Sequence, residues 1–234
     1  MNAIVRNIPN TVTCMNLIAG CLAIACTFAD GNPVGSLTGL QCAYICVAIA
    51  AVADFCDGLA ARLLHAYSNL GKELDSLCDM VSFGVAPAAM VYRTMQSDPT
   101  MSSWGWVALA IAVCGALRLA RFNVDDRQTT TFIGLPIPAN AIFWIGFTSL
   151  MTQYPGFTGP FPVIVLVLLE SWLMISPLKM FSLKLKHLGW KGNQVRWILI
   201  AIAVVSVVSM GVSGLMWLIV AYVLLSRLKI AYSE

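Results

Sequence analysis

The sequence predicts an all-α integral membrane protein, a polytopic bundle of about eight transmembrane helices. Of its 234 residues, 59% are hydrophobic and only 11% are charged, whereas a soluble domain carries about 25% charged residues. Several apolar runs reach or approach the roughly 18 to 20 residues that cross a bilayer. Turn-forming stretches such as Asp30-Gly31-Asn32-Pro33 separate the runs. One membrane domain therefore fills residues 1–234.

The predicted spans follow one another along the whole chain. They cover residues 11–29, 37–64, 72–95, 104–122, 136–152, 161–178, 195–211 and 214–230. The first run is followed by many more and lacks a small-residue cleavage site, which favours a retained span over a removed signal peptide. The last two runs lie so close together that the eighth span could instead continue the seventh.

The basic residues predict the orientation of the spans. If the N-terminus is cytoplasmic, thirteen of the fourteen lysines and arginines fall on the cytoplasmic side and only Arg93 falls on the other. The thirteen are Arg6, Arg62, Lys72, Arg118, Arg121, Arg127, Lys179, Lys184, Lys186, Lys191, Arg196, Arg227 and Lys229. Because short cytoplasmic loops are enriched in lysine and arginine, we expect an even number of spans with both termini cytoplasmic.

The cysteines and the net charge exclude two other classes of protein. All eight cysteines fall inside apolar segments and form no CxxC pair, so we interpret them as small buried hydrophobic residues and not as disulfides or zinc ligands. The net charge of +3 is small, and the basic residues are scattered among helix ends. We therefore expect no nucleic acid as a partner.

Five of the eleven acidic residues lie between positions 54 and 79. A central aspartate costs about 2.5 to 3.5 kcal/mol to insert into a membrane, so a cluster of them needs a metal or another partner. Asp54 and Asp57 are three residues apart, and Asp75 and Asp79 are four apart, so each pair lies on one face of its helix. The short loop 65–71 predicts antiparallel helices, which would bring four carboxylates together just beneath the cytoplasmic surface.

A cluster of carboxylate oxygens suits hard cations such as Mg²⁺, Mn²⁺ or Ca²⁺, and two such ions could bridge a diphosphate. Gly58 and Ala61 share the stripe of the aspartates, where small side chains let a ligand approach the backbone. Arg62 lies one turn further on and could bind phosphate oxygens. The alternative is a set of structural polar contacts between helices, in which four like charges would repel each other without cations.

The four aspartates belong to a longer pattern of eight residues at fixed spacing. The pattern is Asp54-x-x-Asp57-Gly58-x-x-Ala61-Arg62, then, after eight residues, Gly71-x-x-x-Asp75-x-x-x-Asp79. It resembles the signature of the CDP-alcohol phosphotransferase family at every fixed position. Later stretches, including Ser82-Phe83-Gly84-Val85-Ala86-Pro87 and Gly134-Leu135-Pro136-Ile137-Pro138, resemble its phosphatidylserine synthase branch. The resemblance covers roughly residues 5–150, the expected catalytic region, while 151–234 would add further transmembrane helices.

The resemblance implies a role for individual residues. Asp54, Asp57 and Asp75 would hold one divalent ion, Mg²⁺ or Mn²⁺ with Ca²⁺ as a third candidate. Asp75 and Asp79 would hold a second ion, and Asp79 would also be the general base. The residues expected to bind the CDP-lipid are Asn10, Thr13, Gly58, Ala61, Arg62, Ser68 and Gly71. Some members of the family have an arginine where this chain has Asn16, a difference that fits the serine branch.

The implied reaction is attack by the hydroxyl of L-serine on the lipid-side phosphorus of CDP-diacylglycerol, with release of CMP. Arg118 and Arg121 close the cytoplasmic end of the fourth span. Guanidinium groups bind carboxylates in a bidentate manner, so we expect these arginines to recognise serine or a phosphate, although membrane topology alone could also explain them. The family further implies a homodimer, surrounded by lipids of an inner or plasma membrane, with the active site facing the cytoplasm.

Two alternatives to this function remain open at the level of sequence. A sister enzyme would use glycerol phosphate or inositol phosphate, and such an acceptor should demand basic residues near Asp79 beyond Arg118 and Arg121. A non-catalytic cation-binding or transport protein should instead continue polar groups across the bilayer, whereas these carboxylates crowd one face. Glu170 lies in the middle of the sixth span, where we expect a paired structural role or contact with a substrate ammonium.

Overall fold

The computed structural model describes residues 3–125, 132–181, 189 and 193–231, and most of them are helical. The elements are α1 (Ala3–Thr27), α2 (Gly39–Leu63), α3 (Asn69–Asp79), a π-helical turn (Met80–Val85), α4 (Ala86–Gln96), a 3-10 helix (Ser102–Ala108), α5 (Leu109–Val124), β1 (Phe132–Ile133), α6 (Ile137–Gln153), α7 (Pro160–Ile175), β2 (Lys179–Met180), α8 (Gln194–Met210), a second 3-10 helix (Gly211–Ser213) and α9 (Gly214–Ala231).

Five stretches of the described chain are long and apolar enough to cross a membrane. They are Asn7–Thr27, Gly39–Leu63, Asn69–Gln96, Ser102–Val124 and Gln194–Leu228, and Pro160–Ile175 is a shorter apolar helix. The predicted all-α membrane bundle is confirmed. The number of spans and the location of the termini stay predictions. Of the residues used to predict orientation, Arg127, Lys184, Lys186 and Lys191 lie outside the described residues.

The last predicted spans form two helices and not one. Gly211, with a φ of +61°, follows α8 and begins the 3-10 helix that leads into α9. Gly214 then lies against the backbone carbonyl of Ser206, so α9 packs directly on α8. α9 also packs on α6, where Gly146 lies against the backbone of Met216.

The predicted sixth span is longer than the observed helix. α7 ends at Ile175, and Ser176 has an extended backbone with a ψ of 155°. Pro177 follows it, and a residue that precedes proline disfavours the helical conformation. The chain then pairs with the segment before α6, since Ile133 lies opposite Lys179. Gly134 follows with a φ of +77° and lies against the carbonyl of Met174, where a side chain would be strained.

The two ends of the bundle differ in charge. At one end, Asp30 in the loop after α1 forms an ion pair of 3.0 Å with Arg93 near the end of α4. The aspartates of α2 and α3 lie at the opposite end, since α2 runs from one end to the other. At that end α3 is held to α5, because Lys72 Nζ donates to the carbonyl of Asn123 at 3.0 Å. Asn123 Nδ2 also donates to Ser76 Oγ at 2.9 Å.

The core of the bundle is centred on α6. Phe143 and Trp144 are almost completely buried, and their rings meet edge to face at a centroid distance of 5.1 Å. The indole nitrogen of Trp144 donates to Asn140 Oδ1 at 2.9 Å, so its polar atom is satisfied inside the core. Tyr44 of α2 and Thr148 share a hydrogen bond of 2.9 Å. These contacts anchor α2, which carries two of the aspartates, to the centre of the protein.

Candidate active site

Three of the four aspartates come together in the folded chain. Asp54 and Asp57 lie in the C-terminal half of α2, and Asp75 lies in α3. In the predicted orientation this half of α2 is the cytoplasmic one. One carboxylate oxygen from each lies within 4.8 Å of the others. The i, i+3 spacing therefore places Asp54 and Asp57 on one face of α2, and Asp75 of α3 approaches them from the other side.

The carboxylate oxygens of this group fit a hard divalent cation. Asp57 is only 5% exposed. Its Oδ2 atom and the Oδ1 atom of Asp75 are buried and have no hydrogen-bond partner in the described part of the chain. Burying a carboxylate oxygen without a partner is costly, and three like charges at this separation repel each other. A cation with oxygen ligands, such as Mg²⁺, Mn²⁺ or Ca²⁺, would remove both costs.

Asp79 lies outside this group of three. It is one helical turn beyond Asp75 and is 9% exposed. Its Oδ1 atom accepts a hydrogen bond of 3.0 Å from Asn16 Nδ2 in α1. The structure thus distinguishes Asp79, which is bound by a neutral amide, from the three carboxylates that meet each other. A second ion between Asp75 and Asp79 stays a prediction.

Asn16 is a contact of the site that sequence reasoning did not assign. It is completely buried in an otherwise apolar stretch of α1. It follows the predicted nucleotide contact Thr13 by three residues, so both lie on the same face of the helix. A buried polar residue at that spacing was the signal that could have identified it.

A π-helical turn begins directly after Asp79. It spans Met80–Val85, and such turns are often found at functional sites. Ser82 Oγ in this turn donates to the backbone carbonyl of Asn16 at 3.0 Å. Gly20 of α1 lies directly against Ser82, an approach that a larger residue would prevent. α1 is therefore fixed to the turn that follows Asp79.

A cavity of about 470 Å³ opens beside Asp57 and Asp75. Six of the seven residues predicted to bind the CDP-lipid line it, namely Asn10, Thr13, Gly58, Ala61, Ser68 and Gly71. The N-terminal turn of α3 also contributes Asn69 and Lys72. Backbone N–H groups at a helix N-terminus favour anions. The cavity therefore combines a carboxylate group, suited to cations, with a helix end, suited to phosphate.

The seventh predicted residue, Arg62, does not line the cavity directly. Its side chain is exposed, and Nε donates to the carbonyl of Gly58 at 2.8 Å. A Cβ atom on Gly58 would lie 3.7 Å from Arg62 Nη2. Arg62 is thus folded back along α2 towards the cavity.

The two predicted arginines of α5 line a second cavity, of about 530 Å³, together with residues around Ser176. Arg118 is 8% exposed, stacks over the ring of Phe122 at 5.0 Å and lies near enough to Asp79 for their charges to attract. Arg121 is exposed, and its Nη1 donates to the carbonyl of Ile175 at 2.8 Å. Of the two, Arg118 is the buried one, and its charge interacts with that of Asp79.

Glu170 is buried in α7 and is 5% exposed. Its Oε2 atom has no hydrogen-bond partner among the described residues. The paired structural role expected for it is therefore not found in that part of the chain.

Comparisons with known proteins identify the family of the chain. The family described as CDP-alcohol phosphatidyltransferase matches residues 6–183. A Mycobacterium leprae protein named CDP-diacylglycerol--serine O-phosphatidyltransferase is 37% identical over 183 residues, which cover 74% of this chain and 57% of that protein. The chain thus spans little more than half the length of this curated relative.

Two further relatives carry the same name. The Methanocaldococcus jannaschii protein is 37% identical over 172 residues, covering 74% of this chain and 72% of the relative. The Bacillus subtilis protein is 34% identical over 192 residues, covering 81% of this chain and 98% of the relative. The matched segment contains every residue assigned above to the aspartate group and to the two cavities.

Proposed function

Because the chain belongs to the CDP-alcohol phosphatidyltransferase family, we propose that it transfers the phosphatidyl group of CDP-diacylglycerol to the hydroxyl of L-serine and releases CMP. The observation that carries the proposal is the group of Asp54, Asp57 and Asp75, with unpaired buried oxygens, beside a cavity lined by signature residues. The relatives from three organisms are named as transferases with serine as the acceptor.

Asp54, Asp57 and Asp75 would hold the divalent cation, Mg²⁺ or Mn²⁺ with Ca²⁺ as a third candidate, and Asp75 with Asp79 would hold a second ion. When bound, the cations neutralise the diphosphate and stabilise the charge that develops on departing CMP. With the cations bound, the carboxylates would hold the diphosphate at the inner wall of the cavity.

The N-terminal turn of α3 would bind the other side of the diphosphate. Ser68 caps this helix, since its Oγ accepts the backbone N–H of Gly71 at 3.0 Å. The hydroxyl proton of Ser68 is therefore directed away from that bond and is available to a phosphate oxygen. Asn10 and Thr13 of α1 lie on the wall that would face the nucleotide. This arrangement holds the donor lipid between a helix end and the carboxylates.

Asp79 would act as the general base. It takes the proton of the serine hydroxyl while that oxygen bonds to the lipid-side phosphorus and the bond from the phosphorus to the CMP oxygen breaks. Because one carboxylate oxygen accepts from Asn16, the proton would go to the other.

Arg118 would bind the carboxylate of serine. Its guanidinium group is buried near Asp79, and in the described part of the chain no hydrogen bond occupies its donors. A planar guanidinium matches a carboxylate in a bidentate manner. Arg121 would contribute from the rim of the same cavity, where one of its donors is already used by Ile175. Since two arginines could also bind a phosphate, an acceptor such as glycerol phosphate or inositol phosphate is the second candidate.

The protein would act as a homodimer in the lipid bilayer of an inner or plasma membrane, with the site facing the cytoplasm. The orientation is supported by the distribution of charge, because the end that carries the aspartates also carries Arg62, Lys72 and Arg121. Arg93, at the other end, is paired with Asp30.

The test is an acceptor assay with purified protein in lipid nanodiscs. CDP-diacylglycerol and Mn²⁺ are supplied with labelled L-serine, glycerol 3-phosphate or inositol phosphate, and both labelled lipid and CMP are measured. We expect equal amounts of phosphatidylserine and CMP with serine. Transfer to a phosphorylated alcohol without transfer to serine would show that serine is not the acceptor. Cation binding without transfer to any alcohol would support a non-catalytic protein.

A further inference from the structure

We infer that Asn16 is a positioning residue that sets the orientation of the Asp79 carboxylate. The inference rests on the proposed function, in which Asp79 is the general base. Asn16 lies in α1 and Asp79 in α3, 63 residues apart in sequence, and both are buried. The amide Nδ2 donates to Asp79 Oδ1 at 3.0 Å. This bond is the direct link between α1 and the base.

The backbone of Asn16 is held in place by the same turn that follows Asp79. Ser82 Oγ donates to the Asn16 carbonyl at 3.0 Å, and Gly20 packs against Ser82 one turn further along α1. α1 therefore cannot slide along the π-helical turn without breaking these contacts, and Asn16 is held in place with it. The contacts of Ser82 thus fix the backbone that carries the amide relative to the backbone that carries the carboxylate.

The chemistry of the amide suits this task. An asparagine N–H is a neutral donor at every pH at which the protein is folded, so it fixes a carboxylate without supplying a charge that competes for the metal. Binding one oxygen limits rotation of the carboxylate, and a base must lie within hydrogen-bond reach of the proton that it removes.

A purely structural role fits Asn16 less well. Its Oδ1 atom is buried and has no hydrogen-bond partner within the described ranges of the chain. Burying a polar atom in that way destabilises a fold, and an apolar side chain of similar size would avoid the cost. The Nδ2 donor of Asn16, which contacts Asp79, therefore explains why an amide occupies this position.

The experiment compares Asn16→Ala with Ser82→Ala in nanodiscs. Ser82→Ala removes the hydrogen bond to the backbone carbonyl of Asn16 and keeps the bond to Asp79. Asn16→Ala removes the bond to Asp79 and keeps the backbone carbonyl that Ser82 contacts. We expect Asn16→Ala to lower kcat about 10- to 100-fold, the usual effect of removing a residue that orients a functional group. The KM for CDP-diacylglycerol should stay within about twofold of the unsubstituted protein. The same limit applies to the affinity of the Asp54, Asp57 and Asp75 group for Mn²⁺, followed by electron paramagnetic resonance. Asn16→Gln, which keeps the amide, should recover part of the rate.

Two results would overturn the inference. One is an Asn16→Ala variant with a kcat within about threefold of the unsubstituted protein. The other is a Ser82→Ala variant that loses as much kcat as Asn16→Ala, because the loss would then come from helix packing. If the unsubstituted protein uses an alcohol other than serine, the proposed acceptor fails, and the same comparison is judged with the alcohol that it does use.

Discussion

Asp57 of α2 and Asp75 of α3 each present a buried carboxylate oxygen that has no hydrogen-bond partner in the described part of the chain. Together with Asp54, their carboxylates approach within 4.8 Å of one another. Helix packing thus brings like charges together, with one oxygen of Asp57 and one of Asp75 buried. The repulsion between these carboxylates is the reason that we expect the group to bind a cation. It also predicts that the cation-free protein is less stable.

Asp57→Asn should weaken cation binding and stabilise the cation-free protein. The substitution removes one of three clustered charges and keeps an oxygen of similar position. We expect the affinity for Mn²⁺, measured by calorimetry, to fall at least about tenfold. In the presence of a chelator the midpoint of thermal unfolding should rise, because repulsion among the carboxylates is reduced.

Asp98→Asn is the matched control for that change. Asp98 lies in the exposed loop after α4, at the end of the bundle that carries Arg93, and accepts hydrogen bonds from Thr100. It should leave the affinity for Mn²⁺ unchanged. Equal effects of the two substitutions would contradict a cation site at Asp57.

Removing divalent cations should lower the thermal stability of the protein reversibly. A cation that binds the folded state at a concentration about 100 times its Kd adds about 2.7 kcal/mol to the free energy of unfolding. Adding Mg²⁺ or Mn²⁺ after chelation should therefore restore the unfolding midpoint, as followed by differential scanning fluorimetry. The Asp57→Asn variant should respond much less, and an unchanged midpoint in the unsubstituted protein would speak against a bound ion.

Asp79→Asn should nearly abolish turnover and leave the CDP-lipid bound. The substituted amide keeps the shape of the side chain but cannot accept the proton of the attacking hydroxyl. Loss of a general base typically costs about 10²- to 10⁴-fold in rate. Single-turnover release of CMP measures the rate, and displacement of a labelled CDP-lipid measures binding. A fully active variant would show that Asp79 is not the base.

Gly58→Val should raise the KM for CDP-diacylglycerol. Gly58 lines the cavity beside Asp57, and the added isopropyl group would occupy space that the ligand needs. A Cβ atom at Gly58 would lie 3.7 Å from Arg62 Nη2, an ordinary contact, so α2 accommodates the change. We expect the KM to rise at least about tenfold. Cys56→Val, on the exposed side of the same helix, should leave it within about twofold.

Arg118→Lys and Arg121→Lys should have different effects. Lysine cannot bind a carboxylate in a bidentate manner, so Arg118→Lys should raise the KM for serine at least about tenfold while the KM for CDP-diacylglycerol stays near its original value. Arg121→Lys should mainly lower the unfolding midpoint, because Arg121 bonds the carbonyl of Ile175. Initial rates at varied serine and a thermal melt distinguish the two. If Arg121→Lys raised the KM for serine and Arg118→Lys did not, recognition of the acceptor would be assigned to Arg121.

The sequence by itself determined the membrane bundle and the clustering of Asp54, Asp57 and Asp75. Both depend on local patterns: apolar runs long enough to cross a bilayer, and carboxylates at i, i+3 and i, i+4 spacing on helices joined by a short loop. Three residues that line the cavity beside the cluster belong to the signature with fixed spacing, namely Gly58, Ala61 and Gly71, and the resemblance added Asn10, Thr13 and Ser68. The resemblance to known sequences supplied their roles.

Only the tertiary structure separated Asp79 from the other three aspartates and joined it to Asn16, 63 residues away. It likewise showed that Arg118 is buried near Asp79 while Arg121 bonds the chain after α7. Neither result follows from a local pattern, because each depends on how a distant helix packs. Spacing on one helix places a side chain on a face. The partner on that face is decided by the packing of the whole bundle.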